Sequence, residues 1–75
     1  MNIDYKKYIE INHSVRFGKP VIKDTRITVY DIINMLANDM SIDEILYDFP
    51  DLTKEQVKAC IFYVSDRERI LSIAL

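Results

Sequence analysis

One histidine, one cysteine and twelve carboxylates are the side chains of this 75-residue chain with the chemistry for catalysis or metal binding. His13 has no second histidine to complete a metal site, so it is expected to be an ordinary turn residue. Cys60 falls on the apolar side of a helical pattern and is expected to be a small buried hydrophobe. As the lone cysteine it also excludes an intrachain disulfide framework. Gly18-Lys19 lacks the upstream glycine and the following Ser or Thr of a phosphate loop. Asp43, Glu44, Asp48 and Asp51 could attract a divalent cation, but they do not follow the calcium-loop spacing. Catalysis needs a nucleophile with its base, paired carboxylates in a cleft, or a metal cluster. None is legible, so no enzymatic activity, no metal and no cofactor is expected.

Binding is the remaining chemistry, and charge organises it. Residues 1–28 carry Lys6, Lys7, Arg16, Lys19, Lys23 and Arg26 against Asp4, Glu10 and Asp24, a net of +3. Residues 29–52 carry six carboxylates and no Lys or Arg, a net of −6; residues 53–75 return to +1. An acidic middle repels phosphate, so nucleic acid would have to be met by the ends. The candidates are Lys54 and Lys58, one helical turn apart, with Gln56 between them, and Lys19 and Lys23 on the N-terminal arm. The six carboxylates read more simply as a solvated surface. At the other end Arg67 and Arg69 precede the uncharged stretch Ile70-Leu71-Ser72-Ile73-Ala74-Leu75. Such a tail either packs on its own core or fills a groove in a dimer or partner, with Ile70, Leu71, Ile73 and Leu75 as anchors.

The elements that must position these residues follow from period and punctuation. Tyr8-Ile9-Glu10-Ile11 alternates, with Ile9 and Ile11 on one face. Phe17-Gly18-Lys19-Pro20 is a turn, and Val21-Ile22 a short strand that Pro20 demotes to an edge. From Thr28 the apolar spacing becomes helical through Val29, Ile32, Ile33, Leu36 and Ala37, ending near Asn38-Asp39. Ser41-Ile42-Asp43-Glu44 is a capping box, and Phe49-Pro50 stops the short helix that it opens. Thr53-Lys54-Glu55-Gln56 is another, opening a helix without a breaker, with Val57, Cys60, Ile61 and Val64 inward. The spacing predicts helices near 29–38, 41–48 and 53–69 and strands around 8–11 and 20–22. The predicted core is Val29, Ile32, Ile33, Leu36, Ile45, Leu46, Leu52, Val57, Ile61 and Val64.

The expected fold is therefore mainly α: a trihelical helix-turn-helix (homeodomain-like) bundle with a short β N-terminal arm. The length fits one domain, with an extended arm over residues 1–28 and a helical core over 29–75. No apolar run is long enough to span a membrane, and the polar start of the chain lacks a signal core, so a cytoplasmic setting is expected.

The stretch Gly18-Lys19-Pro20-Val21-Ile22-Lys23-Asp24-Thr25-Arg26-Ile27-Thr28-Val29 closely resembles the signature of domain-of-unknown-function family 433, written GKPxIxGTRIxV. The resemblance continues through Ala37 to Ile45, through Asp48-Phe49-Pro50-Asp51-Leu52-Thr53, and through Val57 to Tyr63. Gly18, Pro20, Thr25 and Arg26 are the structural signature. The resemblance implies a helix-turn-helix antitoxin partnered with a PIN-like ribonuclease toxin, with operator DNA as a further ligand. Asp24 stands where the family usually has Gly, Phe17 where many members have a first Gly, and His13 where many have Pro. Asp tolerates left-handed backbone less well than Gly, so the turn at residue 24 is expected to be strained or reshaped. The loop from Asn12 to Phe17 is expected to be less rigid. Thr25 can cap locally, and Arg26 can hold carbonyls or pair with the acidic middle, so that Lys19 to Arg26 staples the arm onto the helices. The alternative is a basic arm that contacts phosphate or a partner.

Two functions are thus expected from different classes: an antitoxin-like component of a type II toxin-antitoxin system, and a homodimeric protein-interaction module that binds no DNA. A homodimer suits both, because a chain this small with an apolar C-terminal stretch and unpaired edge strands gains by covering them.

Overall fold

The computed structural model describes the backbone of residues 4–74 and the side chains of residues 4–68. A 3-10 turn over Tyr5–Lys7 leads into strand β1 (Ile9–Ile11), and a second tight turn over Arg16–Gly18 leads into strand β2 (Pro20–Ile22). Three helices follow: α1 (Val29–Ala37), α2 (Ile42–Asp48) and α3 (Lys54–Ala74). The fold is mainly α, a trihelical bundle carrying a short antiparallel β arm.

Each helix starts where a side chain can satisfy its free N–H groups. The Thr28 hydroxyl accepts from the Asp31 N–H at 2.9 Å, and the Asp31 carboxylate accepts from the Thr28 N–H at 3.0 Å. Ser41 and Glu44 repeat the exchange at the start of α2, and Thr53 and Gln56 at the start of α3. Helix α1 ends in a Schellman motif: the Met40 N–H donates to the Met35 carbonyl and the Asp39 N–H to that of Leu36, both at 3.1 Å. That closure puts Asp39 at φ 69°, a left-handed position that glycine usually fills. Helix α3 meets no breaker and continues to Ala74, five residues past the expected end at 69.

The arm is part of the core. Strands β1 and β2 pair antiparallel with Ile9 opposite Ile22 and Ile11 opposite Pro20. On its other side β2 is bridged, Val21 to Thr28. Pro20 lies at the start of β2 and is buried, so the expected edge strand is covered on both sides. Val21 and Ile22 are fully buried, and Ile9 nearly so. Ile9, Ile22, Val29, Ile32, Ile45, Leu52, Val57, Ala59, Cys60 and Tyr63 make one core, with Ile33, Leu36, Leu46 and Val64 packed against it.

Ile61 departs from the expected core: 38% of it is exposed. The buried stripe of α3 runs through Val57, Ala59, Cys60 and Tyr63, and Ile61 lies about 100° round the helix from Cys60. Ile11 shares a strand face with Ile9, yet it is 57% exposed. The N-terminal turn closes the bundle against α3: the Tyr5 hydroxyl donates to Asp66 at 2.5 Å, and its ring sits edge-on to Tyr63 at 5.5 Å.

Candidate functional site

The signature residues build a compact corner between β2 and α1. The Ile22 carbonyl accepts from the Thr25 N–H at 3.1 Å and from the Thr25 hydroxyl at 2.8 Å. The same hydroxyl oxygen accepts from the Ile27 N–H at 3.0 Å, and the Ile22 N–H donates to the Ile27 carbonyl at 2.9 Å. Thr25 thus ties both limbs of the turn, as its local-capping role requires. Asp24 is the third residue of this four-residue turn and has φ 63°, the position at which a type II turn favours glycine. The glycine of the family signature has a geometric reason, and this chain meets it with an aspartate.

The Arg16–Gly18 turn is left-handed throughout, with φ 48° at Arg16, 59° at Phe17 and 80° at Gly18. A Cβ added at Gly18 would sit 3.0 Å from His13 Nδ1, so both backbone and space call for glycine there. His13 is an exposed turn residue. Arg16 Nη1 donates to the Arg26 carbonyl at 3.2 Å and lies 3.7 Å from the Asp31 carboxylate. Arginine does hold a carbonyl at this corner, but it is Arg16; the Arg26 side chain is exposed and makes no ion pair with any described residue.

The candidate nucleic-acid residues lie on two elements, the start of α3 and the arm. Lys54 is exposed at the start of α3, Lys58 half-buried one turn on, and Lys19 and Lys23 exposed on the arm. Gln56 is half-buried, and its amide oxygen accepts from the Thr53 N–H at 2.7 Å, so this group is engaged in the helix cap. Helix α2, which precedes the helix carrying Lys54 and Lys58, presents exposed Asp43, Glu44 and Asp48. Two hydrogen bonds from Ser41, the backbone one the larger, hold the Glu44 carboxyl below its ordinary range. Of the partner-binding candidates, Arg67 is exposed, its guanidinium 5.8 Å from the centre of the Tyr63 ring. Arg69, Ile70, Leu71 and Ile73 continue α3 as backbone, but their side chains, and the whole of Leu75, lie outside the described residues.

Cys60 is fully buried and free, and burial pushes its thiol up to about 12. It has the environment of a packing residue rather than a nucleophile. Among the described residues, no group of three or more His, Cys, Asp or Glu could hold a metal ion.

Sequence periodicity missed two features. Phe17 is 96% exposed, an aromatic ring at the tip of a left-handed turn. A cleft of about 480 Å³ opens between the Asp24–Ile27 corner and the α2–α3 connection. It is lined by apolar Ile27, Phe49, Pro50 and Leu52 and by the carboxylates of Asp24, Asp48 and Asp51. The cleft joins segments more than twenty residues apart, so spacing carried no signal for it. Phe17 in a glycine-type turn was a local signal, readable as an aromatic that could not turn inward.

Fold and surfaces together define a small, mainly α protein with a β-stapled corner. A family model described as protein of unknown function (DUF433) matches residues 9–64, most of the chain, and the chain belongs to that family. No curated protein and no solved structure matches it.

Proposed function

We propose that this protein works by binding other macromolecules, as an antitoxin-like component that captures and neutralises a PIN-like nuclease. The observation that carries this reading is the large apolar side chains left in water: Phe17 at 96% and Tyr47 at 85% exposure, with Ile11 on strand β1 of the arm. A chain this small has little apolar surface to spare, and large exposed side chains are what interfaces use as anchors. The likeness of the Gly18–Val29 signature to that of proteins encoded beside such toxins supports the choice of partner. No described helix is long and apolar enough to cross a membrane, and a cytoplasmic setting goes with this role.

Operator DNA is the second ligand of this reading, favoured by Lys54 and Lys58 at the start of α3. Two lysines beside an acidic helix make a weak phosphate grip, and a dimer would have to double them. Protein binding without DNA is therefore the stronger half of the proposal.

Co-expression with the product of the adjacent gene tests it. We expect the pair to co-elute on size exclusion and growth arrest by the toxin to be relieved. Removing residues 70–75 should leave the helical signal largely intact while weakening that complex or the dimer. Two chains that elute separately, with arrest unrelieved, would overturn the antitoxin reading. A gel shift with the DNA upstream of the gene addresses the second ligand. If DNA is bound, replacing Lys54 and Lys58 by Ala should lower the salt slope by about 0.9 for each phosphate that is no longer neutralised.

A further inference from the structure

Phe17 with its basic flank and the cleft beside Arg26 are complementary in apolar character and charge. The ring stands at the tip of a turn whose left-handed backbone, φ 59° at Phe17 itself, costs free energy that no packing among the described residues returns. Around it, residues 12–23 carry Arg16, Lys19 and Lys23 and no acid. The cleft has the opposite character. Its apolar lining of Ile27, Phe49, Pro50 and Leu52 suits a phenyl ring, and about 480 Å³ is ample room for one. Asp24, Asp48 and Asp51 at the same cleft form no ion pair with any described residue, so they outnumber the single Arg26 as unmatched charge.

Knob and cleft are also neighbours. Arg16, next to Phe17 in the chain, donates to the carbonyl of Arg26, which itself lines the cleft. A twofold interface needs this arrangement: one patch holding both a projecting group and its receptor, so that two copies exchange them reciprocally. We propose that a second copy of this chain is the occupant: Phe17 of each protomer enters the cleft of the other, and Lys19 meets the carboxylates there. This gives a surface to the homodimer on which the functional reading above draws.

The full chain alone tests it, by sedimentation equilibrium across concentrations up to about 100 μM, where an interface of modest affinity is already populated. The informative variant is Phe17→Gly. Glycine suits the left-handed backbone, so the fold should be retained or firmer by circular dichroism and thermal melting. Dimerisation should weaken at least tenfold, and Phe17→Trp should keep it. Lys19→Asp or Asp51→Lys alone should weaken it too, and the two together in one chain should recover most of the loss. Mixing Phe17→Cys with Asp51→Cys chains under mild oxidation should give a crosslinked heterodimer in excess of either homodimer. A wild-type chain that stays monomeric, or a Phe17→Gly variant that dimerises as well as wild type, would overturn the proposal. A charge exchange that recovers nothing would remove the cleft as the receptor. None of these measurements includes a toxin, so failure here leaves the antitoxin reading standing, and its failure leaves this one standing.

Discussion

At the residue scale, the instructive positions are those where this chain puts an aspartate in a left-handed turn. Asp24 has φ 63° and Asp39 φ 69°, the first in the corner before α1 and the second in the Schellman closure after it. Left-handed backbone costs an ordinary L-residue roughly 1–2 kcal/mol and Asp somewhat less, against which glycine loses more entropy on folding. We expect Asp24→Gly and Asp39→Gly each to raise stability by up to about 1 kcal/mol, seen as a higher urea midpoint with unchanged slope. Unchanged or lower midpoints would mean that the aspartate side chains stabilise these turns by more than the strain. Cys60 supports a second expectation. Burial raises its thiol to about 12, so the folded chain keeps a proton that the unfolded chain gives up near its ordinary value of 9.0. Stability from this source is complete below about pH 9 and is lost as pH rises toward 12. At pH 8 a thiol reagent should modify Cys60 only at the rate of opening, and fast modification of the native protein would contradict its burial.

At the element scale, side-chain caps decide where helices begin. The Thr28–Asp31 pair matters most, because Thr28 is the buried polar residue of the core and its bridge to Val21 holds the arm as well. Thr28→Ala should cost about 1 kcal/mol, in the range of 0.5–2 found for lost caps, read from the denaturation midpoint. A neutral result would show that Asp31 alone can hold the helix start. The cap of α2 adds a pH dependence. Glu44 is held below its ordinary 4.5, so the unfolded chain binds its proton first as pH falls. The stabilisation it provides is present above that value and fades as pH drops through the lower, folded one. Glu44→Gln should flatten this part of the acid-unfolding curve, and an unaltered curve would show that the cap carries no proton linkage.

At the scale of the whole molecule, the N-terminal turn fastens the start of the described chain to the middle of α3. Tyr5 donates to Asp66 and meets Tyr63 edge-on, with ring planes at 89°. Tyr5→Phe keeps the ring contact and removes the hydrogen bond. A hydrogen bond to a charged acceptor contributes about 1.5–3 kcal/mol when well buried, and this one is only part-buried, so we expect a loss of about 1 kcal/mol. A midpoint that does not move would mean that the ring alone closes the molecule. The same long-range link explains why the basic arm does not float free as a phosphate-seeking extension: Ile9, Val21 and Ile22 are committed to the core.

Local order was written along the chain in forms that need no partner from elsewhere. Capping boxes join residues three apart, the apolar periods of α1 and α2 repeat within two turns, and Pro50 acts on its immediate neighbour; these set the three helices and their starts. The signature corner was equally legible, since Thr25 binds atoms within three residues of itself. Tertiary structure decided what depends on distance. Which side of α3 is buried was settled by α1, α2 and the Tyr5–Lys7 turn packing against it, and that is why Tyr63 is inside and Ile61 is not. The pairing of β1 with β2 buried an arm whose short strands carried little pattern of their own. The candidate binding surface belongs to the same class, because the cleft exists only where the Asp24–Ile27 corner and the Asp48–Leu52 connection meet. A sequence encodes period, caps and turns in neighbouring residues, whereas a cleft is a relation between segments that only packing brings together.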